Sequence, residues 1–132
     1  MPALDIYHDA VKNALIKDGW TITHDPFTIT YEKHTLAVDL GAERNGEPIA
    51  VEVKRIRSSD EIQDFVIALG QYIVFRSILT RVEPERKLML AVPLRLYNTF
   101  FQEPIARPVL EKQNIHIFAF DPEKDVIVQR SM

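Results

Sequence analysis

Asn45-Gly46 sits between two short runs of strand-forming residues, Thr35 to Leu40 and Ile49 to Lys54, and nothing else in the chain restricts its fold so tightly. Both residues tolerate a positive φ, which a two-residue type I′ turn needs at its centre, and that turn matches the twist of an antiparallel pair. A turn there pairs Arg44 with Glu47 and, counted back along both runs, sets Asp39 opposite Glu52. Side chains alternate along a strand. Val38, Leu40, Ile49, Val51 and Val53 therefore share one face, all apolar, while Ala37, Asp39, Ala50, Glu52 and Lys54 share the other. The first face demands a core. The second is small apart from its charged groups, and a bulge near Gly41 would shift the whole register by one residue.

Two carboxylates facing each other on adjacent strands repel, with Cβ atoms about 5 Å apart. A divalent cation relieves that repulsion, since Mg²⁺ takes oxygen ligands and is commonly held by one or two carboxylates with water and substrate phosphate. Lys54 lies two residues beyond Glu52 on the same face. Phosphodiester cleavage calls for this combination: a metal that activates water and takes up developing charge, and a cation beside the phosphate. The pattern thus predicts Asp39 and Glu52 as ligands of Mg²⁺ (or Mn²⁺), with Lys54 contacting phosphate or water. A half-exposed hairpin whose Lys54 merely pairs with a carboxylate in solvent shows the same alternation, and such surface pairs contribute little. Pattern alone leaves both readings open.

Around the hairpin the chain reads as alternating elements. Tyr7, Val11, Ala14 and Leu15 fall at helical spacing between Asp5 and Lys17, with Asp5, His8, Asp9 and Lys12 on the other face and Gly19 as a stop. Trp20 to Thr23 and Phe27 to Tyr31 are strand-like runs around the Asp25-Pro26 turn. Ser58 and Glu61 match a capping box before a long helix to about Val82, with Ile62, Phe65, Val66, Leu69, Ile73 and Leu79 as its apolar positions. Gly70 inside that helix costs ~1 kcal/mol against Ala and suggests the close approach of another backbone. Lys87 to Val92 is an apolar strand closed by Pro93. Short helices follow at Leu94 to Phe101 and Pro104 to Lys112, then strands at Ile115 to Phe120 and Val126 to Gln129. This order predicts a mixed α/β sheet with helices packed against it.

With 132 residues, one domain over residues 1–132 is expected. Hydrophobic residues at 46% and charged residues at 27% fit a globular chain. No uninterrupted apolar run approaches the ~20 residues of a membrane span, no signal peptide is legible, and without cysteine there is neither a disulfide framework nor a thiolate metal site. A cytoplasmic protein with no membrane association is expected. A net charge of −3 argues against coating nucleic acid by bulk positive charge, yet a nuclease with an acidic site inside a basic rim remains compatible.

Asp39, then Glu52-Val53-Lys54 on the next strand, then a long helix resembles the PD-(D/E)XK nucleases, with Val38 standing where proline gives that motif its name. The resemblance implies a restriction-endonuclease-like core in which the Asp and Glu bind metal and the Lys assists catalysis. It implies an orienting role for Gln71, a polar residue on the long helix away from the stripe of Ile62, Val66, Leu69 and Ile73. It also implies that the first helix can present a polar group, here His8 beside Asp5 and Asp9. Gln71 as a half-buried amide bonded to backbone, and His8 on a solvated face, are the competing readings. Glu43 is a candidate third acid or a solvated turn residue. Neither His24 nor His116 has a spacing partner for a metal site. Lys54, Arg55, Arg57, Arg76 and Arg81 are candidate phosphate contacts. No Ser/His/Asp triad or Gly-rich phosphate loop is present.

A longer resemblance runs through Asp5-Ile6-Tyr7-His8, Lys17-Asp18-Gly19-Trp20, Val38-Asp39-Leu40-Gly41-Ala42-Glu43-Arg44, Ile49 to Lys54, Glu61-Ile62-Gln63-Asp64, Ala68-Leu69-Gly70-Gln71-Tyr72 and Arg81-Val82-Glu83-Pro84-Glu85-Arg86. These segments are similar to the XisH family, cyanobacterial proteins named as controlling factors for excision of the fdxN DNA element. That similarity implies a role in programmed DNA rearrangement, with DNA, a separate recombinase and a small XisI-type companion as partners. Two classes follow: a metal-dependent endonuclease, or a non-catalytic accessory factor that binds DNA or protein, for which Tyr72, Phe75, Tyr97, Phe100 and Phe101 are interface candidates although core packing explains most of them. A homo-oligomer is open in either case.

Overall fold

A computed structural model describes residues 4–54 and 59–131; Arg55, Arg57, Ser58 and the side chain of Asp5 lie outside the described residues. Helix α1 (Leu4–Lys17) leads into strands β1 (Thr21–His24), β2 (Phe27–Tyr31), β3 (His34–Val38), β4 (Leu40–Arg44) and β5 (Glu47–Val53). After helix α2 (Glu61–Val82) come strand β6 (Lys87–Pro93), helix α3 (Leu94–Asn98), a 3₁₀ turn at Phe100–Gln102, helix α4 (Arg107–Lys112), and strands β7 (Ile117–Asp121) and β8 (Val126–Ser131). Six strands form one mixed sheet in the order β1-β4-β5-β6-β7-β8, and β2 and β3 pair separately.

The Asn45-Gly46 turn forms as its residue types dictate, with φ of 54° and 81°. The β4–β5 register is the expected one: Arg44 faces Glu47, Ala42 faces Ile49 and Leu40 faces Val51, with no bulge at Gly41. The irregularity falls instead between β1 and β4, at Ile22/His24. Two expectations fail. The run Thr35 to Leu40 is not one strand, because the chain bends at Asp39 and leaves Val38 in a different sheet from Leu40. Nor do β1 and β2 pair across Asp25-Pro26: β1 joins β4, and β2 joins β3. The apolar side chains explain both outcomes. Phe27, Ile29 and Val38 pack beneath α2, whereas Leu40 and Ala42 pack beneath α1. One straight strand could not serve both cores.

Helix α2 crosses over between β5 and β6, which run parallel, and so covers one face of the sheet. Asp60 caps it, accepting from Gln63 N at 3.4 Å. Its buried residues are Phe65, Ala68, Tyr72, Phe75 and Leu79. This corrects the expected inner stripe, since Ile62, Val66 and Ile73 are exposed. By length and composition α2 is also apolar enough to cross a bilayer, against the expectation that nothing in the chain is; its charged residues interrupt the run without abolishing its apolar character. The helix is apolar on nearly every side, so periodicity could not orient it. The large rings decided instead: Phe65 stacks edge-on against Phe100 and Phe101, with centroids at 5.1 and 5.6 Å. The aromatics proposed for an interface are therefore core, with Tyr72, Phe75, Phe100 and Phe101 buried and Tyr97 packed against them.

Candidate carboxylate metal site

Glu52 follows Ala50 by two residues on β5, so its side chain points to the α2 face of the sheet, into the larger core. It is 5% exposed, the one buried charged residue among those described. The solvated reading fails for Glu52, which is buried on the side of the sheet that carries the larger core, although the Lys54–Glu52 pairing it expects is present.

The bend at Asp39 ties the two carboxylates together through main chain. Asp39 N–H donates to Glu52 Oε1 at 3.3 Å, and Val53 N–H donates to Asp39 Oδ2 at 2.7 Å. Lys54 Nζ lies 3.4 Å from Glu52 Oε2 and is half-buried. Asp39, Glu52 and Lys54 are thus close together, but Asp39 stands at the bend between two strands rather than on a strand opposite Glu52 as expected. The alternation in the sequence gives no sign of the two N–H contacts, which depend on the break between β3 and β4.

The electrostatics record the crowding. Burial, and then the charge of Asp39, push Glu52 up from its ordinary 4.5 to about 7, against the opposing pull of Lys54. Burial and the neighbouring charge both favour the protonated carboxyl, and a cation held between the two acids would relieve the same repulsion. The donor set is all oxygen, and each carboxylate already has one oxygen fixed by a main-chain N–H. That chemistry fits Mg²⁺ or Mn²⁺, which keep water and substrate oxygens in their remaining positions. Among the described residues no His, Asp or Glu makes a third ligand.

The other candidates separate. Gln71 is half-buried on α2, and its Oε1 is buried with no hydrogen-bond partner, so the backbone-bonded reading fails for that atom. Being away from the outward stripe is what brings it to the core side. His8 bonds Asp25 Oδ1 at 2.8 Å, on the helix that covers the opposite face, and Lys12 bonds the other oxygen of Asp25 at 2.9 Å. Glu43 is exposed, opposite Pro48. Arg76 is structural: it donates to Gln113 O at 2.6 Å and lies over the Tyr72 ring. Arg81 reaches Tyr31 Oη at 3.2 Å. His24 sits beside Thr23 Oγ1 and packs edge-on to Phe27. His116 has a buried Nδ1 without a partner, and burial lowers its pKa. A separate cavity of about 220 Å³, lined in part by Trp20, Arg44, Ile49, Lys87, Met89 and Arg130, opens on the α1 face. It does not include the carboxylates.

A mixed sheet built from an antiparallel hairpin and a helical crossover, with helices on both faces, is a mixed α/β fold consistent with the nuclease-like class. Within that class, the chain belongs to the XisH family, whose members, described as XisH protein, it matches over residues 1–128. It is similar to an XisH family protein from Nostoc punctiforme PCC 73102 (46% identity, TM-score 0.90, covering 97% of this chain and 100% of that one). It is similar also to an fdxN element excision controlling factor protein from Anabaena variabilis (45% identity, TM-score 0.90, covering 96% of this chain and 98% of that one). Curated protein sequences gave no match.

Proposed function

We propose that this chain acts on DNA during element excision and carries a metal-dependent phosphodiesterase site of the PD-(D/E)XK kind. The observation that carries this reading is a buried glutamate held against an aspartate, with a lysine 3.4 Å from its outer oxygen. A fold with no use for the site would replace such a group with an apolar residue at little cost. Asp39 and Glu52 would hold Mg²⁺ or Mn²⁺, which when bound supplies an activated water and charge neutralisation at the phosphate. Lys54 would meet the scissile phosphate, and Gln71 would offer its unpaired amide oxygen to orient a neighbour. His8 stands apart from this site, bonded to Asp25 on the helix that covers the opposite face of the sheet. DNA, a recombinase and an XisI-type companion would be the partners of this chain and the cytoplasm its compartment, as the resemblance in sequence implies.

The test is cleavage of supercoiled, linear, single-stranded and branched DNA with Mg²⁺ or Mn²⁺. Wild type should cut, and Glu52→Gln and Asp39→Asn should each lose on the order of 10²-fold or more. Turnover that survives Glu52→Gln removes the assigned site.

A second reading is favoured by the name of the Anabaena variabilis relative, a controlling factor, and by the absence of a third acid among the described residues. In it the chain is an accessory protein that binds DNA or a partner without turnover. It predicts metal-independent binding and no cleavage of any DNA form.

A further inference from the structure

The outward face of α2 is apolar along most of its length. Val66 and Ile67 are 56% exposed and Val74 is 52% exposed, with Ile62 and Ile73 beside them. Gly70 lies at the centre of this face, itself exposed. A glycine weakens a helix interior, yet a Cβ at Gly70 would meet nothing within 4 Å. The packing of this chain therefore makes no use of its small size.

The residues around Gly70 read alike in both directions. Ile67 and Val66 stand three and four residues before it, Ile73 and Val74 three and four after, and small polar Gln63 and Ser77 lie seven away on either side. A two-fold contact needs such a self-complementary surface, because an antiparallel copy sets each residue against its mirror position. Charge selects the same direction. Asp60 sits exposed at the start of α2 and Arg81 exposed at its end, so antiparallel copies bring acid to base while parallel ones set like against like.

We propose that α2 is a self-association surface, on which two copies of this chain cross antiparallel at Gly70. Val66 then packs against the partner's Val74, Ile67 against the partner's Ile73, and the missing side chain at Gly70 lets the two backbones approach. A helix of 22 residues is about 33 Å long. One such strip falls short of the ~800 Å² per partner of a standard interface, so the dimer is weak and concentration-dependent.

Sedimentation equilibrium of the full chain from about 1 to about 300 µM should show monomer passing to dimer, with a Kd of roughly 10–100 µM. The double variant Val66→Asp/Val74→Asp should stay monomeric with unchanged circular dichroism and melting. The native chain has no cysteine, so introduced thiols report geometry without interference. On mild oxidation Gly70→Cys should form a covalent dimer, Ser77→Cys should not, and Gln63→Cys/Ser77→Cys should cross-link again. A wild type that is monomeric throughout, a dimer indifferent to the aspartates, or Ser77→Cys cross-linking as readily as Gly70→Cys overturns the proposal. So does a monomer that floats with phosphatidylcholine/phosphatidylglycerol vesicles, which would give this face to a bilayer instead.

Discussion

At Glu52, burial and ionisation pull in opposite directions. Folding raises its pKa from 4.5 to about 7, so the folded chain holds that proton more tightly than the unfolded one. The stability linked to it is complete below about 4.5 and is lost as pH rises through about 7. Glu52→Gln should therefore stabilise the protein in chelator at pH ~8, by on the order of 3 kcal/mol at most, and be nearly neutral near pH ~5. Urea titrations at the two pH values measure this, and equal effects at both would mean that Glu52 does not carry the burden. Asp39→Asn removes the neighbouring charge and should bring the Glu52 titration part of the way back toward 4.5, as followed by carboxyl NMR shifts. Sequence reading found both acids and the lysine because the Asn45-Gly46 turn fixes the register locally. It could not see that Glu52 would be buried, because the core on that side of the sheet is built from residues distant in the chain.

Among the elements, α2 is anchored less by periodicity than by one hydroxyl. Tyr72 Oη donates to Leu88 O at 2.8 Å and accepts from His116 N–H at 3.2 Å, joining the helix to β6 and to the residue just before β7. Tyr72→Phe keeps the ring in place and leaves these buried groups short of a partner. A loss of about 1–3 kcal/mol is expected, read from denaturant unfolding; a loss below ~0.5 kcal/mol would mean that water replaces the hydroxyl. Arg86 performs a similar join at the other end of α2. It bonds Glu83 at 2.7 Å and Ile49 O at 2.8 Å, and its guanidinium lies 4.4 Å from the centre of the Phe27 ring. Neither anchor has a sequence signature, since each depends on a carbonyl brought near by the tertiary fold.

For the whole molecule, two groups of charges set opposite limits on stability. Burial works against the Asp18 carboxylate, but Arg130, Trp20 and Arg44 outweigh it and hold its pKa below 3.8. The bond from Lys12, with help from His8, does the same for Asp25. These contributions are present above the ordinary aspartate value and vanish as pH falls through the lowered ones. Together with Glu52 they predict that in chelator melting is highest near pH ~4 to 4.5, falls on the acid side as the aspartates protonate, and falls on the alkaline side until about pH 7. Mg²⁺ or Mn²⁺ at ~100 times its Kd should add about 2.7 kcal/mol and lift the alkaline side of this profile, because a cation between the acids favours the charged Glu52. Melting scans across pH with and without metal test both limbs, and an alkaline limb unmoved by either ion would argue against the metal site.

The sequence by itself determined what depends on near neighbours. It set the positive-φ turn at Asn45 and Gly46, the register that follows from it, the order of the elements, and the meeting of Asp39, Glu52 and Lys54. Tertiary structure decided whatever required a choice between two apolar surfaces. It bent the chain at Asp39, because Val38 and Leu40 are claimed by different cores. It turned α2 so that Phe65, Tyr72 and Phe75 point inward and Val66 and Val74 outward. A helix that is apolar all round has no preferred side until aromatic rings find others to pack against, as Phe65 does with Phe100 and Phe101.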